Sequence, residues 1–485
     1  MHPKSVLRML SIVAGILSLF LVAIAVFSAI EAEPSRVTMS LLIPAVFGLF
    51  FFSVMSFLCR NDKNPYLTNR EGFLFVTFTW ITACLIAAFP FVLSGAIPSF
   101  IDAFYEAMSG FTTTGASILN DVETLPRSLL LLRSTTHWLG GMGIVVLTVA
   151  IFPLLGFGGH RLMEAEAPGP SVDKITPKIS GTAKIFWLIY IGLTVIEIIL
   201  LRLGNMPWFD AICHTFATLA TGGFGIKNAS VGFYRSAYID VVITVFMLVA
   251  GMNFTLIYRS LHGQFISAIK DSELKAYLAI FAATTLIIAL DLRNHGMFGN
   301  FFNALRYAGF QSSSILTTTG FATDDFTKWP AASQSALLFL MFIGGCAGST
   351  AGGIKVIRII TLFKMSFTEM RYLMNPKGVY AIVVNGKPVR KNVVFDAAAL
   401  VFLYFGIMVV SVLLIGIAGY DITTSLTATL ANLGNIGPGL ALVGPAANYS
   451  FFPWWIKIWL SFIMLAGRLE VYTVLVLFTK TFRRS

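Results

Sequence analysis

Long hydrophobic stretches alternate along this chain with shorter, more polar ones. Two leading stretches cover about residues 5–30 and 37–58. Others follow at 72–97, 128–154, 182–204, 236–260, 274–292, 333–365, 393–418 and 452–480, each long enough to cross a hydrocarbon core of roughly 30 Å as a helix. Between alternate pairs lie the segments 101–117, 208–225, 300–322 and 420–436. From Asp102 to Gly115 a helix covers only ~20 Å, so these segments are expected to dip in and return. Each opens on helix-start chemistry (Pro98 and Asp102; Pro207 and Asp210; Asn300 and Asn303; Asp421) and breaks at glycine. The pattern predicts an all-α polytopic membrane protein with two extra N-terminal transmembrane helices. Four pseudo-symmetric repeats of span, pore helix and span then surround one pore. The divisions fall at 1–60 for the N-terminal hairpin and at 61–165, 166–265, 266–380 and 381–485 for the repeats.

The polar ends of the short segments read Thr112-Thr113-Thr114-Gly115, Ala220-Thr221-Gly222-Gly223, Thr317-Thr318-Thr319-Gly320 and Asn432-Leu433-Gly434-Asn435. In three of them glycine follows an acidic residue by 13 positions (115 − 102, 223 − 210, 434 − 421), and Gly320 follows Asn303 by 17. Non-helical backbone at membrane depth survives only where it lines water or is buried in protein. Carbonyls freed at a glycine break replace a cation's hydration shell, and glycine supplies the dihedrals that turn them inward. The residues expected to ring the ion are Thr113, Thr114 and Gly115; Thr221, Gly222 and Gly223; Thr318, Thr319 and Gly320; and Asn432, Leu433 and Gly434. The threonines before Gly115 and Gly320 are expected to add hydroxyl oxygens. No carboxylate lies within the four motifs, which favours a monovalent over a divalent cation. Helix packing through small residues explains one such copy well and four corresponding copies poorly.

Composition supports the class. The 485 residues are 56% hydrophobic and only 12% charged, against roughly 25% in soluble domains. The first stretch lacks a small-residue cleavage site and is read as a retained helix. The formal charge of +11 is distributed by loop. Lys4 and Arg8; Arg60, Lys63 and Arg70; Lys174, Lys178 and Lys184; Lys270 and Lys275; Lys364 to Lys391; and Lys480, Arg483 and Arg484 form the basic sets. Glu31, Glu33, Asp121, Glu123, Asp324 and Asp325 lie in the intervening loops. This alternation is the positive-inside pattern, so both termini are expected in the cytoplasm and no nucleic-acid partner is implied. Cys59, Cys84, Cys213 and Cys346 show no metal or disulfide spacing, the histidines form no HExxH, and no GxxxxGK[ST] loop exists. No catalytic constellation stands out, so the chain is not read as an enzyme.

Two further features carry chemistry. The run Gly344-Gly345-Cys346-Ala347-Gly348-Ser349-Thr350-Ala351-Gly352-Gly353 interrupts a stretch that would be ~50 Å long as a straight helix. Its glycines cost a helix on the order of 5 kcal/mol relative to alanine. Either this is a broken, mobile loop under the filter, or Gly344, Gly348 and Gly352 form a double GxxxG packing face. Arg468, within the last span, is either functional or a snorkelling or ion-paired arginine with Glu470 in reach. Glu197 sits near the outer end of its span. Glu106 and His214 occupy matching pore-helix positions (106 − 102 = 214 − 210), where they either brace the back of the filter or relay protons.

At these motifs the chain resembles the TrkH-type potassium-translocating subunits of the bacterial Trk/Ktr/HKT uptake superfamily. The resemblance rests on Thr-Thr-Thr-Gly-Ala-Ser (112–117), Ala-Thr-Gly-Gly-Phe-Gly (220–225), Thr-Thr-Thr-Gly-Phe-Ala-Thr (317–323) and Asn-Leu-Gly-Asn-Ile-Gly-Pro (432–438), and it covers essentially the whole chain. It implies filter glycines at Gly115, Gly223, Gly320 and Gly434, with glycine at 115 implying potassium over sodium. The motifs lack the fuller TVGYG of tetrameric potassium channels, which implies looser selectivity. The resemblance further implies that 344–353 occludes and gates the pore, with Arg468 facing it in the permeation path. A homodimer in the bacterial inner membrane is implied, regulated by a cytoplasmic nucleotide-binding TrkA-type ring that contacts 355–391 and Lys480–Arg484. This chain itself is expected to bind no nucleotide, only K+ as transported ion. The alternative is a K+/H+ or K+/Na+ symporter.

Overall fold

The computed structural model describes residues 3–59, 68–143, 179–480 and 482, which are predominantly helical. α1 (Pro3–Ile30) and α2 (Ser35–Leu58) form the N-terminal hairpin. Gly48 lets them close, lying against Ser18 and the Ala14 carbonyl, a small-residue contact of the kind that joins helices in lipid. The hairpin is fastened near its turn. Arg127 pairs with Glu31 at 2.6 Å, Ser128 N donates to Glu33 at 3.0 Å, and Phe27 stacks on Phe209 at 5.8 Å.

Four like units follow. The first is α3 (Asn69–Ser94), α4 (Phe100–Phe111) and α5 (Arg127–Gly141). The second is α6 (Ile179–Leu203), α7 (Trp208–Leu219) and α8 (Ala237–Ala250), from which α9 (Phe254–Leu261) and α10 (Phe265–Ile269) lead onward. The third is α11 (Ser272–Asn294), α12 (Phe301–Leu316) and α13 (Ala331–Met341), continued after a break by α14 (Val356–Met374). The fourth is α15 (Lys391–Ile417), α16 (Ile422–Leu433) and α17 (Trp454–Arg468), ending in α18 (Tyr472–Leu475). A small hairpin of β1 (Val383–Val384) and β2 (Lys387–Pro388) lies between α14 and α15. Among the described residues α1, α2, α3, α6, α11 and α15 are long and apolar enough to cross a membrane unaided.

The second long stretch of each unit departs from the continuous span that hydropathy predicts. α8 and α9 meet at 103°, and α17 and the helical turn 472–478 meet at 115°. α13 and α14 are separated by the irregular segment 342–355. The first unit follows the expected 128–154 as far as Gly141; residues 144–178 lie outside the described residues, Lys174 and Lys178 among them, as do Arg60, Lys63, Arg483 and Arg484. In the first three units the end of the second helix shares a packing feature. Gly141 lies against Ala220, Gly251 against Thr317, and Gly352 against the Gly434 carbonyl. Each of these glycines touches the cap of the next unit's pore helix, where a Cβ would collide. A window average of hydropathy registers that apolarity and misses the bend.

Candidate functional site

The pore helices are α4, α7, α12 and α16. Their N-caps are Ser99, Pro207, Asn300 and Asp421, and their C-caps are Thr112, Ala220, Thr317 and Gly434. After each cap the chain leaves the helix in the same way. The next residue takes the left-handed conformation, at Thr113 (φ 53°), Thr221 (53°), Thr318 (58°) and Asn435 (55°). Two residues further on comes a glycine that also has positive φ: Gly115 (79°), Gly223 (76°), Gly320 (85°) and Gly437 (95°).

This geometry corrects the register of the fourth segment. Gly434 has φ −82° and is the helix cap, so the residues in the corresponding places are Asn435, Ile436 and Gly437, not Asn432, Leu433 and Gly434. The error comes from the acidic residue used as ruler. Asp421 is itself the N-cap, its side chain accepting from Thr424 N, whereas Asp102 lies three residues past its N-cap Ser99 and Asp210 three past Pro207. Asn432 and Leu433 remain in the last turn of α16, buried, with Asn432 accepting the Tyr105 hydroxyl at 3.1 Å.

The four segments close a ring. A side chain at Gly115 would strike the Gly222 carbonyl oxygen, one at Gly223 the Thr319 oxygen, one at Gly320 the Ile436 oxygen, and one at Gly437 the Thr114 oxygen. Each glycine thus leaves room for the carbonyl of a neighbouring unit, and the cycle returns to its start. The hydroxyls of Thr114 and Thr319 are engaged within their own segments. Thr114 Oγ1 is hydrogen-bonded to Thr112 Oγ1 (2.8 Å) and Thr319 Oγ1 to Thr317 Oγ1 (2.7 Å), so these hydroxyls brace the helix caps. Asn435 Nδ2 crosses to Thr114 Oγ1 at 3.0 Å and to Met464 O at 3.0 Å.

Behind the ring, pore-helix side chains hold the outgoing chain. Glu106 accepts from Ile118 N (2.9 Å), Gln311 from Thr323 N (3.3 Å) and Thr427 from Leu440 N (3.0 Å). In the second unit His214 instead bonds Asp210 O through Nδ1 (2.8 Å) and stacks on Phe321 at 5.7 Å. Glu197 is buried beside Thr218, behind α7. The boundary between the first two units is the most heavily braced. The Arg133 guanidinium meets Glu106 at 2.8 Å, donates to Gly225 O at 3.0 Å and lies 4.0 Å from the Phe224 ring centroid. His137 bridges the same boundary: Nδ1 donates to Gly110 O (2.7 Å) and Nε2 accepts from Phe224 N (3.1 Å). Neither Arg133 nor His137 belongs to a sequence motif, although an arginine inside an apolar stretch is itself a signal.

Cavities lie on both sides of the ring. One of about 140 Å³ is lined by Gly115, Gly223, Gly320 and Gly437. At its rim Asn228 donates to Asp121 at 2.7 Å, and this bond together with that from Glu123 N holds the Asp121 carboxyl below its usual range, so it is ionised at neutral pH. The other cavity, of about 170 Å³, is lined by Gly348–Gly353, Arg468 and Trp80 among others. Here the run Gly344–Gly353 is non-helical, as its glycine content predicted. It touches the ring segments directly, Gly352 N donating to Thr318 Oγ1 at 2.7 Å. Arg468 donates to Thr350 O (2.7 Å), Gly140 O (2.7 Å) and Gly141 O (3.0 Å), joining three units, while Glu470 pairs with Arg358.

A family model described as "TrkH: Cation transport protein" matches residues 39–484. The Salmonella typhimurium Trk system potassium uptake protein TrkH is 42% identical over 435 residues, 88% of either chain. The TrkH of Vibrio parahaemolyticus is 37% identical over the full length of both chains. The crystal structure of the potassium transporter TrkH from Vibrio parahaemolyticus superposes with a TM-score of 0.89, at 35% identity and full coverage of both.

The Glu106–Arg133 pair sets a stability prediction. Both side chains are at most 2% exposed, and removing one partner of such a pair costs ~3–5 kcal/mol. Glu106→Ala is expected to lower the unfolding midpoint of the detergent-solubilised protein by several degrees, and Glu106→Gln, which keeps an acceptor for Ile118 N, by less. Equal midpoints for Glu106→Ala and the parent would contradict the bracing role.

Proposed function

Because the chain belongs to the TrkH family of cation transport proteins, we propose that it carries potassium across the bacterial inner membrane through a channel-like pore. The observation that carries this reading is the closed ring in which Gly115, Gly223, Gly320 and Gly437 each accommodate a carbonyl of a neighbouring unit. The filter is Thr113–Gly115, Thr221–Gly223, Thr318–Gly320 and Asn435–Gly437. Backbone carbonyls stand in for the water that a monovalent cation sheds. Four pore-helix C-termini converge on the ring, each presenting the partly negative end of its dipole. No carboxylate belongs to the ring segments, so the ion is held weakly enough to leave.

Residues 344–353 and Arg468 form the gate in this reading. The loop lies beneath the filter, tied to Thr318, and the Arg468 charge opposes a cation in the cavity while its guanidinium pins the loop at Thr350. A homodimer, a cytoplasmic TrkA-type nucleotide-binding subunit and cytoplasmic termini belong to the same proposal. Exposed basic residues such as Lys377, Lys387 and Lys391 support a docking face within 355–391. The second reading, K+/H+ or K+/Na+ symport, draws on the Glu197 carboxylate, fully buried beside Thr218.

Four measurements test these proposals. Gly437→Ala places a side chain against the Thr114 carbonyl at a backbone conformation costing an L residue roughly 1–2 kcal/mol, and it is expected to reduce potassium-over-sodium discrimination more than Gly434→Ala. The reverse order would restore the other register. Gly115→Ser is expected to raise sodium relative to potassium permeation, measured as bi-ionic reversal potentials; an unchanged ratio counts against its filter role. Deletion of 345–352, or Arg468→Ala, is expected to raise flux in proteoliposomes without any partner, and unchanged flux removes the gate assignment. A reversal potential that shifts with pH at fixed potassium would favour symport with protons.

A further inference from the structure

Glu273 stands outside the ring and the glycine run, yet it holds the loop at two points, one inside it and one just beyond its end. It is the second residue of α11 and is 5% exposed. Its Oε1 accepts from Ala347 N at 2.8 Å, inside the loop, and from Ile357 N at 3.1 Å, in the first turn of α14. Ile357 N is one of the amides that a helix start leaves without an intrahelical partner, and the N-cap residue Lys355 makes no side-chain cap. A carboxylate from another helix therefore caps α14 and fixes the loop it follows. Lys355 meanwhile has φ 81°, a conformation that a non-glycine residue keeps only when its surroundings impose it. Its ammonium folds back onto the Ala351 carbonyl.

The capping carboxylate is itself connected to the face remote from the filter. Asp271 caps α11 through Glu273 N (2.9 Å) and Leu274 N (3.0 Å), and its other oxygen accepts from Asn385 Nδ2 at 2.7 Å. Asn385 Oδ1 accepts from Ser272 N at 2.6 Å. Asn385 and Gly386, with φ 50° and 74°, form the two-residue turn of the β1–β2 hairpin, where two positive φ angles favour Asn-Gly. Lys364 in α14 donates to Val383 O at 2.7 Å. The exposed hairpin thus grips the start of α11 on one side and α14 on the other, and the start of α11 grips the loop.

We infer that Glu273 is a positioning residue that latches the intramembrane loop under the filter, and that Asn385 links this latch to the exposed hairpin. This rests on the loop being the gate. Release of the two backbone amides frees Ala347 and the strained root at Lys355, so the loop leaves the axis more often. Force on the hairpin reaches the loop through Asn385, the α11 N-terminus and Glu273 without passing through Arg468.

The test uses the full chain in proteoliposomes without partner, with radioactive rubidium as the permeant ion. Glu273→Ala is expected to raise basal flux about tenfold, the scale of losing a hydrogen bond to a charged group in a two-state equilibrium, with the rubidium-to-sodium ratio unchanged. Cys346, buried in the loop, is expected to react faster with a water-soluble methanethiosulfonate, resolved by peptide mass analysis. Glu273→Gln keeps an oxygen acceptor and is expected to stay near the parent. Asn385→Ala is expected to raise flux less, and the double variant Glu273→Ala/Asn385→Ala to match Glu273→Ala alone. Unchanged flux and unchanged Cys346 labelling in a monodisperse Glu273→Ala protein would overturn the latch, as would additive effects in the double variant overturn the link. If deletion of 345–352 raises flux while Glu273→Ala does not, the latch alone fails; if both are silent, the gate reading fails.

Discussion

The close approach of a glycine in each unit to a carbonyl of another is the contact on which this architecture turns. Backbone that leaves a helix inside a membrane has no water to satisfy it, so four such departures must be held by protein. Thr114, Gly222, Thr319 and Ile436 present their carbonyls to a neighbour's glycine. The left-handed residue after each cap, Thr113, Thr221, Thr318 or Asn435, makes the turn that brings them there. Any Cβ at the facing glycines would push the ring apart. The same economy of space recurs one layer below, where Gly141, Gly251 and Gly352 lie on the caps of the following pore helices and the second helices break.

The ring is pseudo-symmetric, but its bracing is not. A buried charge pair and a bridging histidine hold the boundary between the first two units. Amide and hydroxyl side chains do comparable work in the third and fourth, and His214 packs its ring on Phe321 in the second. The lower side is asymmetric too. Among the described residues, the third unit supplies the long irregular segment 342–355, and the fourth supplies Arg468, which ties Thr350 to Gly140 and Gly141. A ring of like segments above unequal elements is an arrangement that four repeats in one chain permit and identical subunits do not.

Much of this was legible in the chain. Span length against segment length gave the re-entrant helices, and the glycine run announced the broken third inner helix. The fourth segment was misplaced because an acidic residue marks a helix start without saying whether it stands at the cap, as Asp421 does, or one turn in, as Asp102 and Asp210 do. The bends after Ala250 and Arg468 were hidden because apolar residues continue through them. Glu273 was invisible for a different reason: its partners, Ala347 and Ile357, are backbone amides more than seventy residues away, and no side-chain motif records such a bond.

In the proposed pore, the carbonyls of Thr114, Gly222, Thr319 and Ile436 enclose the permeant ion. Crystals grown with rubidium or thallium, measured for anomalous scattering, test it most directly. A peak is expected on the axis within the ring, equidistant from the four oxygens and lost when potassium replaces the heavier ion. A peak centred instead beside Gly434 or Glu197, with none in the ring, would contradict it.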